Sequence, residues 1–154
     1  MRERWIRIGI LAGVVFAIAV AGRLVIRIGS IDDVDTQSNL TWATFGAAGL
    51  VLAVLAIRWG RIRPMGEVVA DLAGGAVAAG VLILLVGPFV SGTSPAAIGV
   101  GDSFTVAWQY AGFAAGGGLV GLLLLIMVGR DYKSQSLKRF AEAKLTKPHR
   151  PVRR

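Results

Sequence analysis

No cysteine occurs in this chain of 154 residues, and the single histidine is His149, near the C-terminus. Without thiols the chain itself cannot form a disulfide, a zinc thiolate site, an iron–sulfur cluster or a thioether-bound haem. With no histidine in its apolar stretches, it cannot build an intramembrane haem or copper site from imidazoles. Acidic residues are scarce too: nine Asp and Glu stand against 17 Lys and Arg. No serine–histidine–acid set, metal cluster or nucleophile with a neighbouring base can be assembled from what remains. The expectation is a non-enzyme with no cofactor and no resident metal.

What the chain has is apolar length. It is 55% hydrophobic and 17% charged, with a mean hydropathy of +0.66. A bilayer core takes roughly 20 apolar residues per helix. Four stretches qualify: about Trp5 to Ile28, Leu40 to Ile57, Val68 to Val90, and Phe104 to Val128. They predict an all-α membrane protein, with four transmembrane helices in an antiparallel bundle over residues 1–130. A basic tail with an amphipathic cytoplasmic helix follows over residues 131–154. No length remains for a separate soluble domain.

Charge orients the bundle. All but Arg23 and Arg27 of the 17 basic residues lie in the N-terminus (Arg2, Arg4, Arg7), the loop after span two (Arg58, Arg61, Arg63) or the tail. The opposite side carries Asp32, Asp33, Asp35 and Asp102. Positive residues stay inside, so both termini are expected in the cytoplasm, in an inner, plasma-membrane setting. The tryptophans agree with these limits. Trp5, Trp42, Trp59 and Trp108 all fall near predicted span ends, where the ring is buried and its N–H stays wet. The first 21 residues also resemble a secretory signal, with Ala19-Val20-Ala21 as a cleavage site. Apolar character resumes at Leu24-Val25-Ile26, so an uncleaved first span is expected.

Small residues recur every fourth position. The stripes are Gly13, Ala17 and Ala21; Ala43 and Ala47, with Gly49 and Ala53; Ala70, Gly74 and Ala78, with Gly75 and Ala79; and Gly112 and Gly116, with Gly117 and Gly121. In lipid, close backbone approach is what associates helices. Packing inside the bundle is the expected use, and a partner helix is the sharper one. Gly116-Gly117-Gly118 lies inside a span and lacks the Lys and the strand-to-helix context of a phosphate cradle.

A few polar groups are candidates for function. Glu67 and Asp71 are four apart on one helix face, and intramembrane carboxylates are functional candidates by default. Both also fall in the first turns after Pro64, where the helix dipole favours negative charge. Arg23 and Arg27 could snorkel, pair with the acidic loop, or meet an anionic lipid or substrate. That loop has no central Gly or terminal Glu for a calcium site. Thr41, Thr44 and Gln109 are expected to hydrogen-bond between helices.

In the tail, Leu137, Phe140, Ala141 and Leu145 repeat at helical spacing, flanked by Lys138, Arg139, Lys144 and Lys147. This predicts a helix on the anionic inner leaflet, ended by Pro148. Topology already accounts for the positive charge, so nucleic acid is not an expected partner. The layout is similar, by architecture alone, to small four-span accessory subunits of bacterial respiratory and transport complexes. The expected function is such a subunit, holding assembly or lipid. The alternative is a small homo-oligomeric transporter or channel using Asp71, Glu67, Arg23 and Gln109.

Overall fold

A computed structural model of the chain describes residues 2–31, 33–94 and 99–145. Asp32, Pro95, Lys147, Pro148, His149 and the arginines after it lie outside the described residues. All the regular structure described is helical: α1 Arg2–Ile28, α2 Val34–Gly60, α3 Met65–Leu85, α4 Gly87–Val90, α5 Val100–Met127 and α6 Tyr132–Leu145. Four of these helices, α1, α2, α3 and α5, are long and apolar enough to cross a membrane. The chain is thus organised as a multi-pass membrane protein.

Two helix limits differ most from the hydropathy reading, for local reasons. Helix α2 begins at Val34 rather than Leu40. Asp33 caps it, accepting 2.9 Å and 2.5 Å hydrogen bonds from the backbone and hydroxyl of Thr36. Such a cap satisfies orphan N–H groups, so the helix includes a polar first turn that an apolar window cannot detect. The third span is broken. Helix α3 stops at Leu85, because Pro88 has no N–H for the next rung and its ring crowds the preceding turn. The chain resumes as the single turn α4.

The turns at the helix ends are equally local. Helix α1 closes with Ile31 N–H donating to the Ile26 carbonyl and Ser30 N–H to that of Arg27. Ser30 takes the left-handed position, at φ 47°, where glycine is usual. Helix α5 ends in the same way, with Gly129 at φ 62°.

The most extensive contacts join α2 to α5 and α1 to α3, helices that are not consecutive in sequence. Contact positions rise together along each pair. In the first pair Gly49 meets Gly117, Ala53 meets Gly121 and Gly60 meets Leu125. In the second Asp71 meets Arg4, Gly74 meets Ile8 and Gly75 meets Leu11. Each pair therefore runs in the same direction.

Glycine is required at the α2–α5 crossing. A Cβ on Gly49 would stand 2.7 Å from the Phe113 carbonyl oxygen, and one on Gly117 would strike the Gly49 backbone. The core between the pairs is filled by Leu11, Val15, Phe45, Leu52, Val68 and Ile83. Phe45 packs edge-on to Tyr110, with centroids 5.8 Å apart.

The small-residue stripes divide between inside and outside. Gly49, Gly121, Gly75 and Ala79 are buried, whereas Gly13, Ala17, Ala21, Ala43, Ala47, Gly112 and Gly116 face outward. For α1 this is a correction, since its buried small residues are Ala12 and Ala19. Burial follows Leu11 and Val15, the bulky residues that fill the α1–α3 seam.

Candidate functional site

Among the described residues Asp71 is the buried charged residue of the core, only 1% exposed. Its Oδ1 accepts from Arg4 Nε at 2.5 Å, and its Oδ2 accepts from Arg63 Nη1 at 3.3 Å. Arg63 also stands over the Trp59 ring, 5.8 Å from its centroid. The carboxylate thus joins the first turn of α1, the loop after α2 and the second turn of α3. A carboxylate buried in an apolar bundle is tolerated only when paired, and here two guanidinium groups flank it.

Glu67 does not share this site; it is exposed. The α1–α3 register explains why. Arg4 already faces Asp71, so one turn earlier α3 has passed the start of α1 and nothing covers it. The expectation that Glu67 and Asp71 act as a pair is corrected on this point. Arg4, which sequence reasoning did not single out, lies on the same helical stripe as Ile8, Leu11 and Val15. That shared stripe was the available signal.

At the other end of the bundle, Arg23 and Arg27 turn toward the α3–α4 corner rather than to Asp33 or Asp35. Arg27 Nη1 donates to the Val90 carbonyl at 2.8 Å, and Arg23 Nη1 lies 3.5 Å from Ser91 Oγ. The Arg23 guanidinium rests on Gly87, where an added Cβ would fall 2.7 Å from its Cζ. Asp33 is already committed to Thr36, whose side-chain and backbone hydrogen bonds hold its carboxyl below the usual carboxylate range.

Thr41 and Thr44 do not bridge helices. Their hydroxyls donate back to the Gln37 and Leu40 carbonyls of their own helix, at 2.8 Å and 2.7 Å. This i−4 bonding is the common habit of helical threonine. Gln109 is half-buried and makes no side-chain hydrogen bond among the described residues. The interhelical polar bond comes instead from its neighbour: Tyr110 donates its hydroxyl to the Ala76 carbonyl at 2.9 Å, tying α5 to α3.

Helix α6 carries Lys138, Arg139 and Lys144 exposed. Leu137 and Phe140 are exposed as well, at 60% and 67%, so the described apolar side of this helix is largely open. Asp131 caps it through Ser134, whose hydrogen bonds hold the Asp131 carboxyl below the usual range. Gln135 reaches back to the Arg61 carbonyl at 3.4 Å. Comparison of the chain with protein-family models, curated proteins and solved structures finds no match in any of the three.

Proposed function

We propose that this chain is a non-catalytic accessory subunit of a larger bacterial membrane complex, respiratory or transport, and that it stabilises assembly through its outward small-residue faces. The observation that carries this reading is the outward glycines. Gly9 and Gly13 on α1, and Gly112 and Gly116 on α5, have nothing within 4 Å of an added Cβ. Glycine inside a helix costs roughly 0.5–1 kcal/mol relative to alanine. Nothing within the monomer offsets that cost at these positions, whereas a close-packed partner helix would.

In this reading the four spans alternate in direction as an antiparallel bundle, in an inner (plasma) membrane, with both termini cytoplasmic. Two features support it. Same-direction packing of α1 on α3 and of α2 on α5 is what an up-down-up-down order produces. Arg4, Arg63 and the Gln135–Arg61 contact also gather the three basic segments at one end, which the positive-inside rule makes cytoplasmic. Helix α6 then lies on the anionic inner leaflet, with Leu137 and Phe140 in the headgroup boundary and Lys138, Arg139 and Lys144 toward phosphates.

The competing transporter reading needs Asp71 to be available to a proton or cation. Its two arginine partners weigh against that. Gentle extraction of the tagged chain, with native electrophoresis and mass spectrometry, tests the proposal. A stoichiometric larger complex is expected. A lone, monodisperse species under every mild extraction would sink it.

A further inference from the structure

At the end of the bundle away from the basic segments, a cleft of about 560 Å³ opens between α1, α2, α5 and Ser91 just after α4. Arg23, Arg27, Gln37 and Ser91 give it a polar wall, and Ala19, Phe45 and Val106 form an apolar one. Among the described residues no carboxylate lines it.

The hydrogen-bond inventory leaves donors in excess. A guanidinium has five N–H groups. Arg23 offers one to Ser91 at 3.5 Å, and Arg27 gives one to the Val90 carbonyl at 2.8 Å. Gln37 uses an amide N–H on the Ile31 carbonyl at 2.6 Å, which leaves its second. Ser91 Oγ accepts from Arg23 and keeps its hydrogen. The Thr41 and Thr44 hydrogens are spent inside α2. Gly87 makes room for the Arg23 head, since any side chain there would collide with it. The cleft therefore presents two positive charges and several free donors, and no anion among its described residues. Arg23 is half-buried and Arg27 exposed at the mouth of the cleft, and two like charges against apolar helices favour a counter-charge.

We infer that this cleft binds a phosphate group between Arg23 and Arg27, with an apolar portion of the ligand against Phe45 and Val106. A planar guanidinium fork matches phosphate oxygens in pairs, and a cleft of this size exceeds what a bare ion needs. A lipid headgroup and a soluble phosphate ester share this chemistry. The site is separate from the α6 surface and does not depend on the accessory-subunit reading.

Thermal unfolding of the full chain in a neutral detergent tests it, at ionic strength matched with chloride. The probes are inorganic phosphate, a short-chain phosphatidylglycerol and the matching phosphatidylcholine. Stabilisation by phosphatidylglycerol over phosphatidylcholine is expected. Stabilisation by inorganic phosphate as well identifies phosphate itself as sufficient; a response to phosphatidylglycerol alone identifies a lipid headgroup. Arg23→Gln should weaken the apparent affinity about tenfold or more. Lys144→Gln, on the tail, should leave it intact. If Arg23→Gln does not fold, the exposed Arg27→Gln takes its place with the same expectation. A wild-type chain indifferent to inorganic phosphate and to phosphatidylglycerol, or stabilised equally by phosphatidylglycerol and by the choline-neutralised phosphate of phosphatidylcholine, overturns the inference. So does a folded Arg23→Gln or Arg27→Gln variant that responds as the wild type does.

Discussion

Arg4 and Asp71 are 67 positions apart, and Arg4 Nε reaches Asp71 Oδ1 at 2.5 Å. The bond sets the register of α1 against α3 at one end of their shared seam, where Leu11 over Gly75 follows one to two turns later. Buried ion pairs add little net stability, but breaking one is costly. Their positional value is greatest where apolar surfaces could slide, as they could here.

Asp71→Asn should therefore destabilise the chain by about 1–3 kcal/mol. The figure sits low because Arg4, with a side chain 49% exposed, can swing away once released. Arg4→Gln should cost less, since Arg63 still holds the carboxylate. A double-mutant cycle of Arg4 and Asp71, read by unfolding in detergent, should give a favourable coupling. Additive single effects would mean that the pair has no energetic role.

Gly117 and Gly116 are neighbours in sequence with opposite surroundings. A Cβ at Gly117 would strike the Gly49 backbone, while one at Gly116 meets open space. Gly117→Val should cost about 1–3 kcal/mol or more through overpacking, because backbone cannot move aside as a side chain can. Gly116→Val should leave the isolated chain as stable as wild type and reduce recovery of the partner complex. Thermal midpoints and co-purification yields, measured on both variants, separate the two roles.

Tyr110→Phe removes the hydroxyl that reaches the Ala76 carbonyl and keeps the ring against Phe45. That carbonyl also lies within α3, so the loss should be small, about 0.5–1 kcal/mol. Tyr110→Ala also opens a cavity in the core and should cost about 3–5 kcal/mol. Similar unfolding midpoints for the two variants would show that the ring adds nothing.

The two capping carboxylates predict an acid limit. Asp33 and Asp131 are both held below the usual carboxylate range by hydrogen bonds from Thr36 and Ser134. The unfolded chain then takes up these protons at a higher pH than the folded one. The stabilisation from the caps is complete above about pH 4 and is lost as pH falls through the lowered folded values. Helical content should hold from neutral pH to about pH 5 and decline below pH 4. Asp33→Asn, which caps without titrating, should flatten the part of that decline due to α2. An identical acid profile in this variant would show that the Asp33 cap does not contribute.

Much of the architecture was legible because the bilayer imposes it. Spans near the observed α1, α2, α3 and α5 follow from apolar length, and an amphipathic α6 from the spacing of Leu137 and Phe140. The start of α2 and the break at Val86 were missed for opposite reasons. A cap and a proline act through hydrogen bonds on single residues, and averaged hydropathy hides both. Of the two carboxylates singled out, Asp71 is buried and Glu67 exposed, while Arg4 was read only as part of a basic N-terminus. The threonines were assigned to partners across the bundle, although the nearest acceptor was the carbonyl four residues back.

The sequence by itself determined how many apolar helices the chain could form and which exclusions follow from having no cysteine and no histidine within them. Those properties depend on composition along a single segment. Only the tertiary structure decided that α1 packs on α3 and α2 on α5, and which glycines lie inside. It also brought Arg4 to Asp71 and set Arg23 and Arg27 in a cleft without a carboxylate among its described residues. Helices in lipid are selected by close packing rather than by hydrophobicity. Every face of these helices is apolar, so the sequence pattern alone does not mark which face meets which.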